Sequence, residues 1–562
     1  MSYLAAFMIE YPELSVFLTI SLGYLIGSVK IGDFSFGPVA GSLFAGLLIG
    51  QFAEVPIAGM AKSYLFLLFL FGIGYSAGPQ FLTALRRGGA QPVLVALACT
   101  VTGLAISYVV ARLLGLDPGY AAGLLSGGLT QSPAIGSAGE AIARLPLEAE
   151  EIKRLTAHVA VGYAVCYVVG SAGAIWFCSY MGPKLLGVDL QAAAADLGRS
   201  LGIDDPENGV ESGYRQFQLR AYCTPESASV IGETLAEVER RFAGHRLFVL
   251  RLRRGDQILD ADPALVIEAG DVLAISGPRA AVIEHLSPKA QEVEDPALLD
   301  IPFQAAKVVV TGSDVVGQTL RDIAARPWAR GLYLKSITRG GHDIPVAPGI
   351  TLESGDMLDV IGPQDILAKA ASNLGRELKP TQATDFVVLG LMIFVGGLIG
   401  VLMRFSVFGI EVGLGTSVGA LLAGLLTGYL GTRNPFFGRI PDGSVALMTS
   451  LGLASFIAMV GLQAAPSLIP AIMEVGLVLP LGGFVVVIIP LLAGLLLGHF
   501  VFKMNPILLL GAIAGSLTST PSMAAVQARS GSPLPVLGYA PAYPVAQIIL
   551  TLWGSIIVQL IA

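Results

Sequence analysis

The chain has 562 residues, of which 54% are hydrophobic and only 13% are charged. Soluble globular domains contain about 25% charged residues, so the composition excludes an ordinary soluble protein and predicts that the bilayer is the main solvent. The net charge is −7 and no basic cluster is interleaved with aromatic residues, so nothing in the chain indicates a nucleic-acid partner.

The charged residues are concentrated in the middle of the chain. Residues 183–380 hold 49 of the 75 Asp, Glu, Lys and Arg residues. The sequence therefore predicts two membrane blocks around one soluble block. The four cysteines form neither a disulfide framework nor a CxxC metal pair, so no metal and no cofactor is expected.

Each membrane block contains six apolar segments, and several are close to the ~20 residues that cross a bilayer. In the first block the segments cover residues 14–29, 37–52, 63–82, 92–114, 119–143 and 155–181. In the second block they cover residues 386–403, 413–430, 444–469, 475–500, 506–527 and 539–561.

The fifth segment of each block is interrupted by nearly the same motif. GGLTQSPA at 127–134 matches GSLTSTPS at 515–522, so that Thr130 and Pro133 recur as Thr518 and Pro521. Other glycines of the two blocks also align. A Tyr-x-Val sequence follows each motif, and we pair its tyrosine in the first block, Tyr163, with Tyr543 in the second. The two blocks are therefore predicted to be a duplicated half, and paired breaks of this kind indicate the binding site of a transporter.

A break in a membrane helix frees backbone N–H and C=O groups, which must face protein, water or ligand. Helix N-termini at such a break favour a carboxylate. The alternative is that both segments are kinked, tightly packed helices without a ligand. The predicted substrate-binding residues are Thr130, Gln131, Ser132, Pro133, Thr518, Ser519, Thr520 and Pro521. Two GxxxG pairs are expected to pack the helices of each hairpin together, namely Gly123 with Gly127 and Gly511 with Gly515.

The distribution of Lys and Arg decides between topologies, because these residues accumulate on the cytoplasmic side. If each broken segment is a re-entrant hairpin, Lys30, Arg86, Arg433 and Lys503 lie on the side of the soluble block, whereas six full crossings would put Arg86 outside. We therefore predict an α-helical membrane protein with two inverted repeats, at 1–182 and 383–562, each of five transmembrane helices plus one re-entrant hairpin.

Further polar residues are candidates for the site. Ser76 and Gln463 align in the third segments and are predicted either to meet the hairpins or to pack helices. Arg404 and His158 are the candidate cationic partners of an anionic substrate, with interfacial anchoring as the alternative, because ionisable residues within membrane segments are functional by default.

The soluble block is itself a repeat, since Gly232, Gly255 and Gly270 recur 85 residues later. Short alternating strands and a helical pattern between these positions predict two small α+β domains, at 208–290 and 299–372. Asp356 is expected to be a turn residue. The domains resemble TrkA-C (RCK-C) ligand-sensing modules, whose GDxLxxxGP ending occurs at 270–278 and 355–363. Their ligand is not identified by the sequence.

Repeated membrane halves with a GxLTxSP-type break, divided by two TrkA-C modules, resemble the aspartate:alanine exchanger family of bacterial inner-membrane transporters. The resemblance covers essentially the whole chain. It implies electrogenic exchange of L-aspartate for L-alanine by alternating access. It also implies that the TrkA-C modules lie in the cytoplasm and that the partner is a small-molecule amino acid or dicarboxylate. Relatives of this layout carry other dicarboxylates, so succinate is an alternative substrate. Carriers of this kind are often dimers, which gives a homodimer as the candidate assembly.

Two other classes remain as alternatives. A ligand-gated ion channel or cation transporter is supported by the sensor modules, whereas the duplicated hairpins and the lack of a selectivity filter argue against it. An intramembrane enzyme has no supporting constellation, because the five histidines are scattered and no HExxH motif occurs. The protein is therefore predicted not to be an enzyme.

Overall fold

The computed structural model describes residues 3–31, 34–35, 37–86, 90–201, 217–242, 247–278, 282, 291–339, 342–378, 383–407, 410–433 and 437–562. Within these residues the two membrane blocks are mainly helical, and the soluble block contains two antiparallel sheets.

The first membrane block contains ten helices in its described part. Their bounds are α1 (Tyr3–Glu10), α2 (Pro12–Ser28), α3 (Gly37–Ile49), α4 (Gly59–Arg86), α5 (Ala90–Leu113), α6 (Pro118–Gly128), α7 (Pro133–Ile142), α8 (Ala149–Trp176), α9 (Gly182–Leu186) and α10 (Leu190–Leu201). A short ribbon, β1 (Lys30–Ile31) and β2 (Phe34–Ser35), separates α2 from α3. A π-helical turn, Phe177–Met181, joins α8 to α9.

The soluble block holds two modules with the same topology. Its strands are β3 (Phe217–Cys223), β4 (Phe248–Arg254), β5 (Gln257–Asp260), β6 (Val272–Pro278), β7 (Gln291–Val293), β8 (Phe303–Val310), β9 (Tyr333–Arg339), β10 (His342–Ile344), β11 (Met357–Pro363) and β12 (Gly375–Leu378). Its helices are α11 (Leu235–Arg241), α12 (Pro296–Leu299), α13 (Leu320–Ala324) and α14 (Gln364–Leu374). The strand orders are β5-β4-β6-β3-β7 and β10-β9-β11-β8-β12, so the 85-residue sequence repeat is also a repeat of fold.

The second membrane block contains eight described helices. They are α15 (Phe386–Leu402), α16 (Gly415–Arg433), α17 (Asp442–Ala464), α18 (Leu468–Val475), α19 (Val478–Leu496), α20 (Pro506–Ser516), α21 (Thr520–Ser530) and α22 (Val536–Ile561). A ribbon of β13 (Arg404–Val407) and β14 (Ile410–Gly413) joins α15 to α16, and a π-helical turn, Leu497–Val501, follows α19.

Among the described residues, six helical segments are long and apolar enough to cross a membrane. They are Gly59–Pro79, Ala90–Leu113, Ala149–Leu186, Asp442–Val475, Val478–Val501 and Val536–Ile561. The pair α1 and α2, which is bent by 108°, would make a seventh. The sequence predicts ten crossings. The other three expected positions hold shorter apolar helices, Gly37–Ile49, Phe386–Leu402 and Gly415–Gly431.

Both broken segments begin in the same way. Asp117 caps α6 by accepting a hydrogen bond from the Tyr120 N–H at 2.8 Å, and Asn505 caps α20 by accepting one from the Ile507 N–H at 2.9 Å. A proline follows each cap at the first helical position, where its missing N–H costs no intrahelical bond. Cap and proline together fix where each hairpin starts.

The first helix of each hairpin runs in the same direction as the long helix that follows the hairpin. A Cβ on Gly119 would lie 2.3 Å from the Leu155 carbonyl oxygen, and one on Gly127 would lie 2.7 Å from Cys166 Cβ, so α6 lies along α8. In the second block α20 lies along α22 in the same way. The second helices cross over, because α7 packs on α22 and α21 packs on α8.

The membrane helices form two groups, and each group mixes helices from both blocks. One group contains α2, α3, α4, α15, α16 and α17. The other contains α5 to α8 and α19 to α22, which include both broken segments. The second soluble module contacts both groups. Its Gly349 N–H donates to the Leu201 carbonyl at the end of α10, Leu537 of α22 packs on its core, and its Gly355 lies against Pro79 of α4.

An Arg–Asp ion pair with a buried carboxylate occupies matching positions in the two modules. Arg254 donates to Asp271 with an N···O distance of 2.8 Å, and Arg339 donates to Asp356 at 2.7 Å. Arg339 also donates to Glu353, and burial raises the pKa of that carboxyl. The prediction that Asp356 only forms a turn is incomplete, because its buried carboxylate binds a guanidinium.

Candidate functional site

The two breaks have the same backbone conformation. Thr130 and Thr518 adopt left-handed φ angles of 55° and 52°. In the first turn the Gln131 N–H donates to the Ser126 carbonyl and the Thr130 N–H to the Gly127 carbonyl, and the equivalent pair of bonds recurs in the second turn. This is the Schellman arrangement that ends a helix, with a threonine in the position that glycine usually occupies.

A branched residue in this conformation is strained. The left-handed region costs a non-glycine residue roughly 1–2 kcal/mol, because Cβ approaches the following carbonyl oxygen. Strained residues of this kind persist where the surrounding structure holds them, and they cluster at functional sites. The occurrence of two strained threonines, one at each break, therefore identifies the turns as candidates for function.

The two turns contact each other. The Thr130 hydroxyl donates to the Leu517 carbonyl oxygen at 2.9 Å, and the Thr518 hydroxyl donates to Gln131 Oε1 at 2.9 Å. Each strained threonine thus supplies a hydrogen bond to the opposite half. The hydroxyls explain why threonine rather than glycine occupies these positions.

Gln131 extends the contact to a third element. Its Nε2 donates to Thr551 Oγ1 at 3.2 Å and to the Gln547 carbonyl oxygen at 3.4 Å, both on α22. Its side chain is fully buried. Gln131 therefore joins the first turn, the second turn and α22.

A tyrosine stands beside each turn. The Ser132 hydroxyl lies 2.6 Å from the Tyr163 hydroxyl, and the Thr520 hydroxyl lies 3.4 Å from the Tyr539 hydroxyl. Each tyrosine is followed four residues later by a second one, with ring centroids 5.1 Å and 5.5 Å apart. The structure corrects the predicted repeat here, because Tyr163 is equivalent to Tyr539 and not to Tyr543.

Two helix N-termini begin at the paired turns. Pro133 opens α7 and Thr520 opens α21, and the first turn of a helix presents N–H groups and the positive end of its dipole. Ser519 caps α21 by accepting a hydrogen bond from the Ser522 N–H at 3.3 Å, whereas Ser132 makes no side-chain cap. The arrangement suits an anion such as a carboxylate.

The predicted glycine pairs pack closely, but against different partners from those expected. Gly123 lies against Gly162 of α8, and Gly511 lies against Pro535 at the start of α22. Gly127 and Gly515 continue these two contacts. The prediction that they join the two helices of one hairpin is corrected: they hold the first helix of each hairpin on the following long helix, since the second helix crosses to the other block.

The structure does not bring Ser76 and Gln463 to the turns. The Ser76 hydroxyl donates to the Gly72 carbonyl within α4. Gln463 accepts from Lys62 Nζ at 2.8 Å and lies at the exposed end of α17. Their described hydrogen bonds match the helix-packing alternative.

The two candidate cations differ in what the structure describes. The Arg404 side chain lies outside the described part of the chain, and only its backbone, at the start of β13, is placed. His158 Nδ1 lies 2.6 Å from Asp117 Oδ2, and its ring stacks on Tyr120 with centroids 4.1 Å apart. His158 thus belongs to the cap of α6, at the other end of that helix from the turn.

Comparison with known proteins places the whole arrangement in a family. The membrane blocks match the sequence model of the aspartate:alanine exchanger permeases, described as a predicted permease membrane region, at residues 15–183 and 388–559. The chain belongs to the aspartate:alanine exchanger family. The soluble block of this exchanger-family chain matches the TrkA-C domain twice, at 221–287 and 306–375.

Members of the exchanger family in other bacteria are similar over nearly their full length. An uncharacterized transporter of Bradyrhizobium diazoefficiens is 49% identical over 92% of this chain and 100% of its own. A transporter of Bordetella bronchiseptica is 38% identical over 98% of this chain and 96% of its own. A transporter of Shewanella oneidensis is 33% identical over 100% of both chains. No solved structure matches the chain. The protein is thus a predicted membrane transporter.

Sequence reasoning missed several residues that lie at the paired turns. Tyr539 and Thr551 were not among the predicted residues, although Tyr539 hydrogen-bonds at the second turn and Thr551 at the first. A signal for the tyrosines was present, because Gly-Tyr-Ala occurs at both 162–164 and 538–540. Thr551 carries no such signal, since its equivalent in the first block is Ile175.

Proposed function

We propose that the protein is a secondary active transporter that exchanges L-aspartate for L-alanine across the bacterial inner membrane by alternating access. The observation that carries the proposal is the direct contact of two strained threonine turns, Thr130 and Thr518, with helix N-termini beginning at both. Binding at discontinuous helices between two repeats is the usual arrangement in secondary transporters.

The chemistry of the paired turns supports an amino acid with a carboxylate. The N-terminal ends of α7 and α21 and the hydroxyls of Ser132 and Thr520 supply donors for carboxylate oxygens. The carbonyl ends of α6 and α20 meet at the same place and carry the negative end of each helix dipole, which favours an ammonium group. A zwitterion therefore finds both signs of partial charge at the turns.

The proposed topology is a pair of inverted repeats, 1–182 and 383–562, with the modules in the cytoplasm. Its support is that each hairpin has both ends near one end of the bundle. Asp117 contacts His158 near the start of α8, and Glu140 of α7 accepts from Thr416 at the start of α16. The second hairpin returns toward the modules, since Arg529 lies over Tyr180 and α21 contacts α10.

The two turns differ in exposure, which supports alternating access. Ser132 and Pro133 are buried, whereas Thr520 is exposed and Pro521 is partly exposed. In the proposed topology this conformation is open on the cytoplasmic side. Relative movement of the two helix groups would then expose the first turn and bury the second.

The second candidate function is exchange of another dicarboxylate such as succinate. It is favoured by the observation that no acidic side chain hydrogen-bonds to either turn within the described residues. Glu140, the nearest acid in sequence to the first turn, is engaged by Thr416 and Ser417.

Counterflow in liposomes tests both candidates. Purified protein is reconstituted with internal L-aspartate, with internal succinate or with buffer alone, and uptake of labelled L-aspartate and L-alanine is measured. We expect uptake of both amino acids that requires internal aspartate, and protein-free liposomes serve as the control. Uptake driven only by internal succinate would show that succinate, and not L-aspartate, is the substrate. Conductance without exchange under any load would overturn the proposal in favour of a channel.

A further inference from the structure

One face of α22 connects the two turns. Tyr539, Tyr543, Gln547 and Thr551 recur at intervals of four residues, so they lie on one side of the helix. Tyr539 contacts Thr520 of the second turn, and Thr551 accepts from Gln131 of the first. The two residues between them, Tyr543 and Gln547, therefore lie along the line that joins the turns.

Gln547 has an unsatisfied amide at this place. Its side chain is 3% exposed, and its Nε2 is buried without a hydrogen-bond partner among the described residues. A buried donor without a partner is destabilising, and native structures contain few of them. Such a group calls for an explanation, for example a bound species that completes its hydrogen bonding.

The backbone of Gln547 shows which way this face of α22 is turned. Its carbonyl oxygen accepts from Gln131 Nε2 at 3.4 Å, so the residue lies against the first turn. Side chains on a helix lean toward its N-terminus. The Gln547 side chain therefore leans from its own level on α22 toward Tyr543, which is the side of the second turn.

The equivalent face of α8 lacks this amide. Tyr163 and Tyr167 match Tyr539 and Tyr543, but Ser171 stands where α22 has Gln547. Of these two equivalent helix faces, only that of α22 carries a long amide donor. A donor on one side alone gives the site a direction, which suits a substrate with two different ends.

We propose that Gln547 is a substrate-binding residue whose Nε2 donates a hydrogen bond to a carboxylate of the transported acid. The proposal deepens the function proposed above and rests on it. The ligand class is a small carboxylic acid that binds beside the paired turns. Bound substrate supplies the acceptor that the Gln547 amide lacks among the described residues.

Equilibrium binding of labelled L-aspartate to the purified full-length protein tests the proposal, with L-alanine and succinate as competitors. Gln547→Leu removes the amide with little change of volume. Loss of one hydrogen bond to a charged group predicts roughly 10- to 100-fold weaker binding of L-aspartate. The melting temperature without substrate should stay the same or rise, because the variant removes a buried unsatisfied group.

Gln559→Leu is the matched control. Gln559 lies on the same helix and its Oε1 is also buried without a described partner, but it is 12 residues, or about 18 Å, farther along α22. We expect its binding to match the wild type. Equal weakening by both variants would overturn the assignment of the effect to Gln547.

Gln547→Glu tests the direction of the hydrogen bond. A second carboxylate repels the substrate, so we expect weaker binding than in Gln547→Leu. Full binding by Gln547→Glu would make residue 547 an acceptor and overturn the proposal. Wild-type affinity in Gln547→Leu would overturn it while leaving the transporter function intact, whereas a wild type that binds none of the three acids would overturn both.

Discussion

The two hairpin turns share a backbone but differ in their surroundings. Thr130 and Thr518 have φ angles within a few degrees of each other, and both turns make the same two helix-ending hydrogen bonds. At the first turn the Ser132 and Tyr163 hydroxyls lie 2.6 Å apart, whereas the equivalent pair at the second turn lies 3.4 Å apart. Ser132 and Pro133 after the first threonine are buried, whereas Thr520 is exposed and Pro521 is partly exposed.

The difference arises at the residue after each threonine. Gln131 reaches across to Thr518 and to Thr551, so its amide fastens the first turn to the second turn and to α22. Ser519, its equivalent, is too short to reach across and caps its own helix through Ser522. The duplicated motif therefore sets the backbone of both turns, and Gln131, which has no counterpart at the second turn, is the candidate for the residue that closes the first.

The largest expected effect comes from the glycines that hold the hairpins in place. A Cβ on Gly511 would lie 1.9 Å from the Pro535 carbonyl oxygen, whereas one on Gly123 would lie 2.7 Å from Gly162 Cα. Overpacking typically costs 1–3 kcal/mol, so we expect Gly511→Ala to lose most of its folded protein and Gly123→Ala to lose less. Size-exclusion yield and thermal melting measure both. Equal stability of the two variants would contradict the tighter packing of the second hairpin.

We expect Gln131→Leu to open the first turn and so to remove the difference between the two turns. The substitution removes one hydrogen bond from Thr518 and one to Thr551, and both hydroxyls lose a partner. Such losses cost about 1–3 kcal/mol each, so exchange should fall at least tenfold. Ser519→Ala is the control at the equivalent position, and counterflow with internal aspartate is the measurement. A larger loss in Ser519→Ala would reverse the assignment of the closing residue.

Cysteine labelling measures the difference in exposure between the two turns. With Cys223 replaced by serine, the remaining native cysteines are buried. We expect Thr520→Cys to react faster than Ser132→Cys with a membrane-impermeant maleimide added from the cytoplasmic side, because only the second turn is open. Equal rates at the two positions would show that the turns do not differ in access.

Loss of individual hydroxyls should impair exchange while leaving the fold intact. Removing one hydrogen bond at the contact costs about 1 kcal/mol, so Thr130→Ala, Ser132→Ala and Thr518→Ala should each lower the exchange rate several-fold. Thr520→Ala should have the smallest effect, because its hydroxyl contact is the longest. Normal transport by all four variants, measured by counterflow, would remove the turns from the substrate site.

The sequence predicts those features of the site that the duplication repeats. Both threonines were found because the whole motif recurs. The sequence pairs Tyr163 with Tyr543, one helical turn away from its structural equivalent Tyr539. Residues four apart lie on the same face of a helix, so both tyrosines fit the same pattern. The partners of Gly123 and Gly511 depend on the crossing of α7 and α21, which no local pattern encodes. The duplication could not predict Gln547, because the equivalent residue of the first block is Ser171.

The smallest expected effect concerns the strain in the turns. Thr130→Gly and Thr130→Ala both remove the hydroxyl, but only glycine adopts φ near 55° without strain. The relief of roughly 1–2 kcal/mol is partly offset by the larger entropy of glycine in the unfolded chain. We therefore expect Thr130→Gly to melt slightly higher than Thr130→Ala while exchanging equally poorly, and the same order at Thr518. Higher activity in the glycine variants would show that left-handed geometry, rather than the hydroxyl contact between the halves, is what transport requires.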